Sequence, residues 1–276
     1  MVNVGIIGHG FVGKAIATVD CIANINIYDI AQEEYNSRES KIKAYTSDIV
    51  FISVPTDLNR NNRLDISILY ECMSDYKNIA SKSCLNNNTI VIKSTVPIGT
   101  CEELQETFNL NNIIFNPEFL TQRTAKQDFI HQKEIYLAGN KEHTSRAVLL
   151  YQDFFNYHDN KDYVFFEALN HKEFELLKLA RNTFYGMKVS YCNYLYNLCK
   201  TIDVNYDSFR ENFAHNEWVG SQHTYVPGPD DKLGYGGACL PKDSVELLNF
   251  FKKQGIIFDM LENSIDFNIK QRRKIK

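Results

Sequence analysis

Val4-Gly5-Ile6-Ile7-Gly8-His9-Gly10-Phe11-Val12-Gly13 decides the fold of this chain. A short apolar run ends in G-x-G-x-x-G and opens into a helical stretch. That strand–turn–helix setting is what gives the motif meaning. Gly8 makes the tight turn, Gly10 leaves room for a pyrophosphate, and Gly13 lets the helix pack close to the strand. The phosphates would rest at the helix N-terminus, where N–H groups and the helix dipole favour anions. Gly8, Gly10, Phe11, Val12 and Gly13 are therefore expected to bind a dinucleotide. Asp29 ends the next apolar run, 21 residues after Gly8. A carboxylate there accepts the ribose hydroxyls and repels a 2′-phosphate, so NAD is expected rather than NADP.

Outward from this motif, short apolar runs alternate with helical stretches, the pattern of a doubly wound α/β sheet. Strands are expected at Val4-Ile7, Ile25-Tyr28, Ile49-Val54, Ile90-Lys93, Ile113-Asn116 and Ile135-Ala138. Their Val/Ile-rich, non-alternating character suits parallel strands buried on both faces. Helices are expected at Gly13-Cys21 and Ile66-Ala80, and loops at Asn59-Asn62 and Leu85-Asn88. Near Tyr163 the pattern changes. From Asn170 to about Ile202, Phe174, Leu177, Ala180, Phe184, Met187, Tyr191, Leu195 and Leu198 step by three or four. Such a helix would run about 50 Å at 1.5 Å per residue. The expectation is a Rossmann-like doubly wound parallel sheet over residues 1–165. An all-helical domain built on a long spine helix would follow over residues 166–276. Pro227-Asp231 reads as a loop, with further helices from Lys242 or Asp243 to Phe251 and from Phe258 onward.

The 276 residues are enough for one large or two medium domains. A net charge of -4 gives no basic footprint for nucleic acid. The local cluster Lys270-Gln271-Arg272-Arg273-Lys274-Ile275-Lys276 reads as a solvated helix end, where cations suit the dipole. No signal peptide is read at the start, and no apolar run reaches the roughly 18 residues of a membrane helix. The seven cysteines, Cys21, Cys72, Cys84, Cys101, Cys192, Cys199 and Cys239, are odd in number and scattered. None forms a C-x-x-C pair, so neither zinc nor a disulfide framework is suggested. A reducing, cytoplasmic setting fits best.

Three further segments carry side chains suited to chemistry. Gly234-Tyr235-Gly236-Gly237-Ala238-Cys239-Leu240-Pro241-Lys242-Asp243 puts one thiol on a glycine-dense turn, with a cation and a carboxylate close behind. A thiol beside a cation and at a helix start has its thiolate favoured. A tight turn holding a buried structural cysteine explains the same residues. Lys178 and Asn182, four apart, project from one face of the long helix, with Glu175 a turn earlier. That face is either a solvated one with an ion pair or an oxyanion holder. Lys93-Ser94-Thr95-Val96-Pro97 and Asn116-Pro117-Glu118-Phe119-Leu120 end strands. Ligands bind beyond the carboxyl ends of such strands, which places Thr95 and Glu118 in the cleft.

Taken together, these segments resemble the UDP-glucose/GDP-mannose dehydrogenase family. Ser53-Val54-Pro55-Thr56 and Glu175-Asn182 match as well, all in the family's order and over almost the whole chain. The resemblance implies a four-electron oxidation of a nucleotide sugar at C6, UDP-glucose by default, using two NAD and giving a uronic acid. Cys239 would attack the intermediate aldehyde, and the thiohemiacetal would become a thioester that water opens. Lys178 and Asn182 would steady oxyanions. Asp243 and Thr95 would position water or the substrate alcohol, and Glu118 would be the acid/base of hydrolysis. The resemblance adds Val54, Pro55, Thr56, Ser94, Thr95, Gln122 and Lys242 to the cofactor set. It adds Glu118, Phe119, Leu120, Tyr225, Tyr235 and Gly236 to the substrate set. It also implies a homodimer through the long helix, consistent with Tyr185, Tyr191, Tyr194 and Tyr196 on several of its faces.

The chain departs from the family in three places. The family's C-terminal nucleotide-binding domain has no counterpart in this sequence. Gln122 stands where a glutamate is usual, which would shift hydrolysis onto Glu118. The Pro-Arg usual after the aspartate matching Asp128 is absent from Phe129-Glu134. Two other functions remain open. A two-domain 3-hydroxyacid dehydrogenase also pairs a Rossmann domain with a Lys-x-x-x-Asn helix, but needs no cysteine. A catalytically weak NAD-binding remnant is the other.

Overall fold

The computed structural model describes residues 1–83 and 87–273. Cys84, the Leu85-Asn86 half of the expected loop, and Lys274-Ile275-Lys276 of the basic cluster lie outside the described residues. The chain forms two compact units, one of residues 1–57 and 65–178, the other of residues 58–64 and 179 onward.

The first unit is built on a seven-stranded sheet of order β2-β1-β3-β4-β5-β6-β7. Its strands are β1 (Val2–Ile7), β2 (Ala23–Tyr28), β3 (Ile49–Ile52), β4 (Thr89–Ile92), β5 (Ile113–Phe115), β6 (Glu134–Gly139) and β7 (Val164–Ala168). The helices between them are α1 (Phe11–Ile16), α2 (Arg38–Tyr45), α3 (Ser67–Ser83), α4 (Thr100–Phe108), α5 (Ala125–Ile130) and α6 (Lys141–Tyr157). A 3-10 helix, Ala17–Cys21, continues α1, so the expected Gly13-Cys21 helix tightens in its second half. Asn140 caps α6 through a side-chain oxygen on Glu142 N, and Ser37 caps α2 on Ser40 N.

Strand side chains alternate between two cores, as a pleat requires. Ile49, Phe51, Val91, Ile114, Ile135 and Leu137 join one cluster with Phe129, Tyr151, Phe154 and Phe155. Val50, Ile52, Ile90, Ile92, Ile113 and Phe115 join the other with Tyr45, Leu69, Met73, Leu104 and Phe174. Burial on both faces is why β3, β4 and β5 read as continuous apolar runs.

The expectation of an all-parallel sheet needs correction, because β6 pairs antiparallel with β5. The intervening segment carries only α5, six residues long. β7, parallel to β6, was not foreseen. It is an edge strand whose residues are half-buried or exposed, so it lacks a clean apolar pattern. The order steps to opposite sides of β1 for β2 and β3, which puts the topological switch point at the C-terminal ends of β1 and β3.

α7 (His171–Thr201) is the expected long helix, and the division between the units falls inside it. Its face is not the expected one beyond Lys178. Asn182, Thr183, Ser190, Cys192 and Asn193 are buried, whereas Phe184, Tyr191, Tyr194 and Leu198 are more than half exposed. The second unit adds α8 (Tyr206–His215), not foreseen, then α9 (Leu240–Lys253) and α10 (Asp259–Arg273). Cys192, Cys199, Tyr206 and Val226 form a small apolar cluster. The segment 58–64 joins this unit through Glu246, whose buried carboxylate accepts from Arg63 Nη2 at 3.1 Å and from Leu64 N at 3.0 Å.

Glu175 is buried rather than solvated. Its carboxylate accepts from Gly99 N at 2.5 Å and Cys101 N at 2.9 Å, capping α4 from another element. Burial raises its pKa above the ordinary 4.5 against the lowering effect of those N–H groups. A raised carboxyl contributes stability that is complete below 4.5 and lost as pH climbs through the folded value. Glu175→Ala is expected to cost about 1–3 kcal/mol in urea unfolding by orphaning those N–H groups. It should also remove a falling limb of stability on the alkaline side of 4.5. A variant with unchanged midpoint would show that the α4 cap is dispensable.

Candidate active site

In the first unit, Gly8 leaves β1 at φ +88, and its N–H donates to Tyr28 O at 3.0 Å. A Cβ on Gly13 would stand 2.1 Å from the Gly8 carbonyl, so only glycine lets α1 approach. At Gly10 a Cβ would meet nothing within 4 Å, and no side chain caps α1 there. An open cradle beside an uncapped helix start suits dinucleotide phosphates. Asp29 lies beyond β2 and accepts from His9 N at 2.6 Å and Ala31 N at 2.8 Å. Its carboxylate therefore shapes the glycine turn. Gln32, which carried no sequence signal, brackets His9: its Oε1 accepts from Nδ1 at 3.2 Å and its Nε2 donates to the His9 carbonyl at 3.0 Å.

Side chains after β3 and β4 stitch the strand ends together. Ser53 donates to Gly8 O at 2.8 Å, Ser94 to Val54 O at 2.7 Å, and Thr56 to Thr95 O at 2.7 Å. Val54, Thr56, Ser94 and Thr95 thus lie beyond the carboxyl ends of neighbouring strands. Pro55 and Gln122 are exposed.

Glu118 and Lys178 are both buried and paired at 3.3 Å, with the Lys178 ammonium also donating to the Glu118 carbonyl. Lys178 sits 4.9 Å from the centre of the Phe119 ring, and Leu120 N donates to the Glu118 carboxylate at 2.7 Å. The solvated-face alternative for this part of α7 is thus excluded. Lys93, quoted above only as part of a strand end, is also buried and donates to Asn116 Oδ1 at 3.0 Å. Asn116 is further held by Tyr151 OH at 2.6 Å and donates to Tyr136 O at 2.7 Å. Burial lowers the Lys93 pKa to about 7, with Glu118 raising it and Lys178 lowering it. A lysine closing an apolar strand was the available signal for this buried cation.

In the second unit, half-buried Cys239 is the N-cap of α9, with Pro241 in the first turn. Unpaired N–H groups favour an anion at that position. The Cys239 carbonyl accepts from Asp243 N at 3.0 Å. Asp243 is fully buried, and its carboxylate accepts from Lys242 Nζ at 2.7 Å and Asn182 Nδ2 at 2.6 Å. Lys242 therefore spends its charge on Asp243. Tyr235 is buried against Gly186, whereas Tyr225 is exposed with the Arg210 guanidinium 4.1 Å over its ring. Among the described residues, no group of three His, Cys, Asp or Glu could hold a metal, and no helix is long and apolar enough to cross a membrane.

Comparison with known proteins bears on both units. Residues 29–155 match the NAD binding domain of the UDP-glucose/GDP-mannose dehydrogenase family, and residues 172–270 match its central domain. The cofactor is accordingly NAD. UDP-glucose 6-dehydrogenase of Campylobacter jejuni is 31% identical over 75% of this chain and 50% of that protein. The Rickettsia typhi enzyme of the same name is 27% identical over 96% of this chain and 66% of its own. The chain thus spans half to two thirds of the length of these relatives. A UDP-glucose dehydrogenase structure from Pyrobaculum islandicum superposes with a TM-score of 0.84 at 22% identity. It covers 99% of this chain and 69% of its own, which shows the fold.

The buried lysine has a stability signature. A lysine with depressed pKa contributes stability that is complete above 10.5 and lost as pH falls through about 7. Wild-type protein should therefore gain stability as pH rises from about 7 toward 10.5, and Lys93→Met should lose that slope. Parallel urea midpoints for both proteins across this window would rule it out.

Proposed function

This chain belongs to the UDP-glucose/GDP-mannose dehydrogenase family, and we propose that it oxidises a nucleotide sugar at C6 to the uronic acid through a thioester on Cys239. The observation that carries this reading is the placement of Cys239 at the start of α9 with Asp243, Lys242 and Asn182 bonded together one turn on. NAD, when bound, accepts a hydride in each of the two oxidations. The glycine cradle and Asp29 would hold its phosphates and ribose, and Val54, Thr56, Ser94 and Thr95 would border its site.

In the first oxidation, Asp243 and Thr95 would position a water or the substrate alcohol so that the hydroxyl proton passes to water as the hydride leaves C6. The Cys239 thiolate then adds to the aldehyde carbon, forming a C–S bond and an alkoxide. Lys178 and Asn182 are donors suited to that oxyanion. Loss of the second hydride makes the thioester. Glu118 takes a proton from water as it attacks, and the C–S bond breaks to release the acid and the thiolate. Phe119, Leu120, Tyr225, Tyr235 and Gly236 are the proposed contacts to the sugar nucleotide, with UDP-glucose the first substrate to try.

A homodimer is proposed through α7. Phe184, Tyr191, Tyr194 and Leu198 form an exposed stripe at seven-, three- and four-residue spacing, the kind of apolar face that a second copy covers.

The test is NADH counted per sugar consumed across a panel of nucleotide sugars. Two NADH with one sugar supports the reading, and one NADH with release of a ketone or aldehyde points to the 3-hydroxyacid type of dehydrogenase. Cys239→Ser should block the second oxidation and leave NAD binding intact. Lys178→Ala should lower kcat by about 10²-fold or more if it holds an oxyanion. Normal uronate formation by Cys239→Ser ends the covalent mechanism.

A further inference from the structure

We propose that Arg272, with Asn268, is a positioning residue that clamps the backbone of Gly234 and Tyr235 and so holds Cys239 at the start of α9. This rests on the reading of Cys239 as the nucleophile. The geometry lies within the second unit. Arg272 donates from Nε to Tyr235 O at 3.2 Å and from Nη2 to Gly234 O at 3.1 Å. Its third nitrogen bonds the Asp230 carboxylate, and that hydrogen bond holds Asp230 below its ordinary pKa. Asn268 accepts from Tyr235 N at 2.7 Å and donates to Tyr235 O at 3.0 Å. Asn193 on α7 accepts from Gly234 N at 3.0 Å. The N–H and C=O of both Gly234 and Tyr235 are therefore bonded to side chains of α7 and α10.

The arrangement corrects the solvated-helix-end reading for Arg272, which spends its charge inward. It also accounts for Gly236. A Cβ there would stand 2.7 Å from Arg272 Nη2 and 2.8 Å from Cζ, so glycine is what lets the guanidinium lie over the turn. A lysine cannot replace it, because a single ammonium cannot reach two carbonyls and a carboxylate as a planar fork does. Beyond Gly236 the chain passes through Gly237 at φ +78 and reaches Cys239 within two residues. With glycines on that path, the clamp at Gly234 and Tyr235 is what limits where the thiol can go.

The test compares Arg272→Ala, Arg272→Lys and Gly236→Ala with wild type. Gly236→Ala pushes the guanidinium aside without removing it, so the proposal stays testable if the arginine variants fold poorly. The first readout is iodoacetamide labelling of Cys239, followed as its peptide by mass spectrometry beside thermal unfolding. The second is NADH per product, with free aldehyde trapped by a hydrazine. Each variant is expected to label Cys239 several-fold more slowly while still folded, and the effects of Gly236→Ala and Arg272→Ala should not add. Turnover should fall by about tenfold or more, with NADH per product dropping from two toward one as aldehyde escapes. Wild-type labelling and a ratio of two in folded Arg272→Ala overturn the proposal. If wild type turns over no sugar, the functional reading fails, and the labelling alone still decides whether the clamp positions the thiol.

Discussion

A carboxylate removed from water has to be bonded, and in this protein that requirement ties distant segments together. Glu118, Glu175, Asp243 and Glu246 are all buried. Glu175 on α7 holds the start of α4, and Glu246 on α9 holds residues 58–64. Glu118 holds Lys178, and Asp243 holds Asn182 and Lys242. Two of these contacts serve architecture alone. The other two bring together the side chains on which the proposed chemistry depends. Removing one partner would leave an uncompensated charge, which costs far more than a surface pair is worth.

α7 shows how such bonding competes with apolar patterning. Up to Phe174 and Leu177 the helix buries apolar side chains in one of the sheet's two cores. Beyond Lys178 its buried face mixes Leu179, Val189, Cys192 and Cys199 with Asn182, Ser190 and Asn193, and those last three take backbone or side-chain polar partners. Asn193 bonds Gly234, and Ser190 bonds Ser264. The large side chains are displaced to the open face. A spine that carries functional groups cannot also present a wholly apolar face to its own domain.

The sheet contributes in a different manner. Its C-terminal strand ends converge at the switch point, where Gly8, Ser53, Val54 and Ser94 are linked by side-chain hydroxyls to backbone carbonyls. These bonds fix loops that would otherwise have only turn propensity to shape them. The glycine turn is braced in the same way by Asp29 and Gln32.

Much of this was legible in the amino-acid sequence. The glycine motif with Asp29, the apolar strands and the long helix follow from periodicity and turn chemistry, which are local. Lys178, Asn182 and the cysteine segment could be singled out by residue type and order. The reversal of β6, the edge strand β7 and α8 were not legible, because they depend on connection geometry or on weak local patterns. Which face of α7 is buried was not legible, because periodicity marks an apolar stripe without saying what covers it. The pairing of Lys178 with Glu118 spans 60 residues, that of Asn182 with Asp243 spans 61, and that of Arg272 with Gly234 spans 38. No spacing rule reaches so far. Those partnerships are chosen by burial, since a polar group shut away from water must take whichever partner the fold brings within 3 Å or so.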